Sequence, residues 1–172
     1  MKHIYLLLLV FSANVFASES LCYGTTENGK LTGGVQLPSS GDNFEGYSSI
    51  ARLAGRTYVH SEVSSIIVAA YKELAITSPE KIFKYAETGF KEGGQFEPHK
   101  THRNGLSVDF MVPVTNEHGK SVYFPTNPFN KFGYNIEFDN QGRYENLTID
   151  YEALAAHIVT LHKEAKKNGH DL

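Results

Sequence analysis

The sequence predicts an α+β domain: a small, mainly antiparallel sheet with helices packed on one side. Three observations predict it. Residues 61–75 and 150–168 carry apolar side chains at helical spacing. The β-like stretches between them are short and bounded by Gly, Pro and Asn. Strand and helix patterns do not alternate regularly, as a parallel α/β sheet requires. A chain of 172 residues suits one domain, and 41% hydrophobic residues are enough for a core. The formal net charge is -3, so nothing in the overall balance points to nucleic acid or an anionic membrane surface.

Residues 1–17 have the pattern of an export signal, a short transmembrane anchor being the other reading of the segment. Lys2 gives a positive start, Ile4 to Phe11 is an apolar run too short to span a bilayer, and Val15-Phe16-Ala17 places small residues where a signal peptidase reads. The mature domain is expected to be 18–172, exported to the periplasm, with no membrane anchor once the signal is cut. Leu21 before Cys22 is not the small residue of a lipoprotein signal. Cys22 is the only cysteine, which excludes a disulfide within the chain; a buried, inert thiol and one whose partner is missing are both open.

Tyr23 to Tyr47 reads as an irregular arm, because Asn28-Gly29, Gly33-Gly34, Pro38 and Ser40-Gly41-Asp42 are closely spaced turn signals. The first helix covers 61–75. Val63, Ile66, Ile67, Ala70, Tyr71 and Leu74 form its apolar face, Ser61 can cap it, and Thr77-Ser78-Pro79 stops it. His60 is read as an ordinary residue at the helix start, and Arg56 and Tyr58 lie just before it. Lys81 to Glu87 reads as a strand. Glu87 at its end is read as a solvated or hydrogen-bonded structural group, a general base being the other role open to such a carboxylate.

Leu106, Val108, Phe110 and Val112 alternate with Ser107, Asp109 and Met111, which predicts a second strand with Asp109 facing away from Val108 and Phe110. Asn116 to Phe132 is expected to be a long loop, with His118 at an exposed turn. Tyr134 to Phe138 is expected to be a short strand, followed by a turn at 139–142. The last helix is capped by Asp150, with Tyr151, Leu154, Ile158, Leu161 and Ala165 as its buried stripe and Gly169 as its stop. His157 flanks that stripe as a packed or hydrogen-bonded residue, and His162 falls on the rim.

The chemistry concentrates at Glu97-Pro98-His99-Lys100-Thr101-His102-Arg103-Asn104-Gly105-Leu106-Ser107-Val108-Asp109. Two imidazoles and a carboxylate are ligands that zinc takes in catalytic sites, where three protein groups leave one position for water. Pro98 and Gly105 break any continuous helix here, so His99 and His102 are expected on a loop that folds back toward Asp109. The metal ligands expected are His99, His102 and Asp109.

The pattern His99-x-x-His102-x-x-Gly105-Leu106-x-Val108-Asp109, with Gly93-Gly94-x-Phe96 upstream, resembles the signature of the penicillin-insensitive murein endopeptidases. These are zinc peptidases related to the lysostaphin-type and D-Ala-D-Ala-cleaving enzymes. The arm Gly24-x-x-x-Asn28-Gly29-x-Leu31-x-Gly33-x-x-Leu37-Pro38 is similar to theirs as well. The resemblance implies the same α+β architecture, a zinc cofactor, and cleavage of peptide cross-links in peptidoglycan. It also implies a His-x-His on a later strand, one histidine completing the zinc shell and the other assisting catalysis. No His-x-His occurs in the 172 residues, and His170 stands alone past the last helix. The expectation is therefore a C-terminally incomplete domain with impaired activity. A non-catalytic, metal-stabilised cell-wall binding module and a metal-free structural domain are the other readings of the same residues.

Overall fold

The computed structural model describes residues 19–172, so the signal segment lies outside the described residues. The fold is α+β. Its strands fall into four small sheets rather than one, mostly antiparallel.

The expected irregular arm is instead a hairpin and two further strands. Strand β1 (Leu21–Gly24) pairs antiparallel with β2 (Gly29–Thr32), turning through Thr25–Asn28. The outer strand is exposed throughout, including Cys22, while Leu31 alone turns into the core. One apolar anchor per hairpin is too little to create an alternation visible in the sequence. β3 (Val35–Gln36) pairs antiparallel with β5 (Tyr58–Val59). β4 (Phe44–Gly46) runs parallel to β6 (Phe83–Tyr85), which pairs antiparallel with β7 (Phe110–Met111). The two strands expected over 81–87 and 106–112 thus shorten to three and two residues.

Between β4 and β5 lies a short helix, α1 (Ser49–Leu53), capped by Ser48. Helix α2 (Ser61–Thr77) begins where expected, but its cap is His60, not Ser61: the His60 Nδ1 accepts from the Glu62 amide at 3.2 Å. Ser61 is already helical, and its hydroxyl accepts from the Ser20 amide.

β8 (Val114–Thr115), β9 (Ser121–Val122), β10 (Arg143–Tyr144) and β11 (Leu147–Ile149) make the fourth sheet, in the order β10-β11-β8-β9. The expected long loop therefore holds a strand and a 3-10 helix, Pro128–Gly133. The expected strand over 134–138 is absent. Tyr134 closes the 3-10 helix, while Ile136 and Phe138 pack on Val114, Phe124 and Leu147. The turn at 139–142 forms as expected, with the Gly142 amide donating to the Asp139 carbonyl.

Helix α3 (Tyr151–Lys167) is capped by Asp150, whose carboxylate accepts from the Ala153 amide at 3.0 Å. Its buried face is rotated from the expected stripe. Ala153, His157, Thr160, Leu161, Glu164 and Ala165 are buried, while Tyr151 is 60% and Ile158 58% exposed. The cause is an aromatic pocket that takes the His157 ring, with centroids of Tyr71, Phe83 and Phe110 at 5.3, 5.0 and 4.8 Å. The main core joins α2 (Ile67, Ala70, Tyr71, Leu74), α3 (Ala153, Leu161) and the strands (Phe44, Val59, Phe83, Tyr85), so both helices share one core with them. No helix among the described residues is long and apolar enough to cross a membrane.

Candidate metal centre

The loop from Gly89 to Asp109 is pinned on every side by main-chain hydrogen bonds. The hairpin holds it through Gly94 N to Gly29 O and Arg103 N to Thr26 O; the start of α2 holds it through His60 N to Gly105 O. β6 extends past its end to meet it, with Asp109 N donating to Glu87 O and Ala86 N to Asp109 O. Gly105 has φ +79°, and a Cβ there would lie 2.7 Å from Leu31 and 2.9 Å from the His60 amide nitrogen, so the loop can approach this closely only at glycine.

Phe96, fully buried, forms the floor of the loop. The rings of His99 and His102 stand 5.8 and 5.5 Å from its centroid, and the Arg56 guanidinium lies 4.1 Å above it. His102 is a non-glycine residue at φ +69°, a conformation few residues adopt, and its side chain is 2% exposed. Val108 and Phe110 face the main core, and Asp109 faces the other way, toward His102, as the alternation predicted.

One ligand atom from each of His99, His102 and Asp109 lies within 4.8 Å of the others. His102 Nε2 stands 3.3 Å from Asp109 Oδ1. Its Nδ1 is 3.2 Å from the carbonyls of both Thr88 and Ser107, which can accept only from a protonated Nδ1, so in the neutral ring it is Nε2 that carries the lone pair. Asp109 Oδ2 accepts from the Tyr134 hydroxyl at 2.8 Å. Nitrogen and carboxylate donors in this number suit zinc. In a tetrahedral zinc shell with bonds of about 2.1 Å, ligand atoms stand about 3.4 Å apart. The His102–Asp109 pair already has that separation, and His99 has a short distance to close.

Behind His99 lies a second, buried layer. His99 Nε2 is 2.6 Å from Glu87 Oε2. Glu87 also accepts from Tyr47 Oη at 2.6 Å and from Arg56 at 2.5 Å (Nε) and 2.7 Å (Nη2). Burial raises the Glu87 pKa, but hydrogen bonds from Arg56 and Tyr47 outweigh it and hold the carboxylate below its ordinary value. Burial likewise raises Asp109, and His102 and Tyr134 bring it below the usual aspartate value. For His102 burial favours the neutral ring, yet Asp109 and the two carbonyls outweigh it and raise the pKa. Burial and then Asp109 push the Tyr134 phenol well up, so it is a hydrogen-bond donor at neutral pH.

Each sequence-predicted residue can now be placed. His99, His102 and Asp109 converge, and Glu87 is a hydrogen-bonded group, as expected, but one that holds His99 of the site itself. Arg56 is in this layer; Tyr58 is on β5. His60 caps α2, His157 is buried among Tyr71, Phe83 and Phe110, and His162 is exposed. His118 pairs with Glu117, and His170 with Glu62. Tyr47 and Tyr134 were not foreseen. They lie 40 residues from Glu87 and 25 from Asp109 in sequence, and no local pattern marks them. Compared with protein families and with curated proteins, the chain matches no family model and no curated sequence.

Proposed function

We propose that this chain is a zinc-dependent peptidase domain directed at the peptide cross-links of peptidoglycan in the periplasm. The observation that carries the reading is the convergence of His99, His102 and Asp109 within 4.8 Å, with His102 already oriented for ligation. The motif resemblance supplies the substrate. Zinc held by three protein groups supplies a water of pKa about 7 and a Lewis acid for the scissile carbonyl. His99, His102 and Asp109 would hold the ion, and the Thr88 and Ser107 carbonyls orient the His102 ring. Tyr134 holds Oδ2 of Asp109 so that Oδ1 faces the centre.

A second reading, a metal-stabilised wall-binding module, is favoured by one observation. Among the described residues no further histidine stands at the centre: His60, His118, His157, His162 and His170 all have places elsewhere in the fold. A site made of these residues alone, with no proton-handling histidine, should cleave ~10²–10⁴-fold more slowly than one that has it.

Elemental analysis with chelator controls should find about one zinc per chain, and His102→Ala should remove most of it. Absence of metal, or unchanged metal in His102→Ala, overturns both readings. Chromatography of purified dimeric muropeptides then separates them. Slow, zinc-dependent cleavage abolished by Asp109→Ala supports the peptidase; zinc-dependent retention on peptidoglycan without product supports the module. Export is checked by mass spectrometry of protein expressed in a Gram-negative host. It should begin at Ser18, and an intact Met1 overturns the signal assignment.

A further inference from the structure

We infer that Glu87 is a positioning residue for the metal centre: it accepts a hydrogen bond from the Nε2–H of His99 and so leaves Nδ1 of that ring as the nitrogen offered to an ion shared with His102 and Asp109. The inference starts from what an ion pair needs. Arg56 alone would satisfy a buried Glu87, and it does so with two nitrogens. The structure adds a motif histidine on Oε2 at 2.6 Å and a tyrosine hydroxyl on Oε1 at 2.6 Å. An imidazole whose one nitrogen donates to a carboxylate offers only its other nitrogen to an ion.

The support is rigid. Arg56 is held from three directions: by Glu87, by the Glu97 carbonyl at 2.9 Å and by the face of Phe96. Tyr47 is buried, and its ring meets Phe132 edge to face. Glu87 also fixes a second member of the set, because its carbonyl accepts from the Asp109 amide at 2.9 Å. One residue thus holds His99 by its side chain and Asp109 by its main chain. The two histidines are set in opposite senses. His102 is tied through Nδ1 and would ligate through Nε2; His99 is tied through Nε2 and would ligate through Nδ1.

That Nδ1 meets a metal rests on the zinc reading above; that Glu87 fixes the ring does not, and the test separates the two. Long-range ¹H–¹⁵N spectra of labelled protein at pH 8, with His99 assigned through His99→Gln, report which nitrogen carries the proton. The expected result is a single tautomer protonated on Nε2, with the Nδ1 resonance moving when one equivalent of zinc is added. In Glu87→Ala the ring should show both tautomers, and zinc affinity by competition with a chromophoric chelator should fall ~10–100-fold. Glu87→Gln, which can still accept from Nε2, should recover most of both. A wild-type His99 protonated on Nδ1, or a zinc-induced shift at Nε2, overturns the inference, and both are read in the wild-type spectrum. Unchanged zinc affinity in a folded Glu87→Ala also overturns it. A wild-type chain with the expected tautomer but no zinc response overturns the zinc reading and the ligand role of Nδ1, leaving only Glu87's hold on the ring.

Discussion

His157 shows how one residue can set the acid tolerance of this fold. It is 2% exposed among Tyr71, Phe83 and Phe110, and its Nε2 has no hydrogen-bond partner. Burial alone lowers its pKa from 6.5 to about 4. The unfolded chain therefore takes up a proton as pH falls through 6.5, and the native state does not until about 4. Stability tied to this group is complete above 6.5, falls across that window and is level again below it. A shift of this size corresponds to about 3 kcal/mol. Urea melts of wild type and His157→Phe at pH 7, 5.5 and 4 should show the loss shrinking by about that amount in the variant. Parallel pH curves would mean that the ring is not buried in its neutral form. Gly105 makes a second residue-scale case. At φ +79°, with Leu31 and His60 crowding the absent Cβ, Gly105→Ala should cost at least 1–3 kcal/mol by the same melts. It should weaken zinc binding as well, since His102 and Asp109 flank it.

The helices were legible in the sequence and the strands were not, and the difference is physical. α2 and α3 each bury a face over about four turns, so the pattern repeats often enough to be read. Most strands here are two or three residues long, and one or two buried side chains give no period. α3 was displaced around its axis because an isolated histidine, not Ile158, fills the aromatic pocket, and hydrophobicity alone ranks those two the other way. The site divides in the same manner. His99, His102 and Asp109 share one loop and could be read locally; Tyr47 and Tyr134 arrive from distant elements. Two elements here can be tested directly. Asp150 caps α3 and also pairs with Lys81 at 2.7 Å. Asp150→Ala should cost about 2 kcal/mol and Asp150→Asn, which keeps the cap, less than half of that. Equal losses would show that the ion pair, not the cap, matters at this helix end. The 3-10 helix that delivers Tyr134 holds Lys131 and Phe132 at φ +49° and +57°, fixed by a reciprocal Asn127–Asn130 cap. Lys131→Gly relieves left-handed strain, so its melting temperature should be no lower than that of wild type.

At the scale of the whole molecule, the candidate centre lies where separately packed parts meet. The described residues form three apolar clusters rather than one, and the strands belong to four sheets. The loop carrying His99, His102 and Asp109 is hydrogen-bonded to the β1–β2 hairpin, the start of α2 and the end of β6. Arg56 reaches it from the segment between α1 and β5, and Tyr134 from the 3-10 helix. A ligand that draws three side chains of this loop together acts on all of those junctions at once. It binds the native arrangement and not the unfolded chain, so it adds stability by mass action, about 2.7 kcal/mol at a hundredfold excess over Kd. For a domain of this size that is a rise in melting temperature of about 5–10 °C. Thermal melts of chelator-treated protein with increasing zinc should show this rise, with magnesium giving none, because the donor set includes two imidazoles. His102→Ala should melt at one temperature with or without zinc. Glu87→Ala should need ~10–100-fold more zinc for the same rise. A wild-type melting temperature indifferent to zinc would show that the three side chains are held by Glu87, Tyr134 and the carbonyls of Thr88 and Ser107 for packing alone.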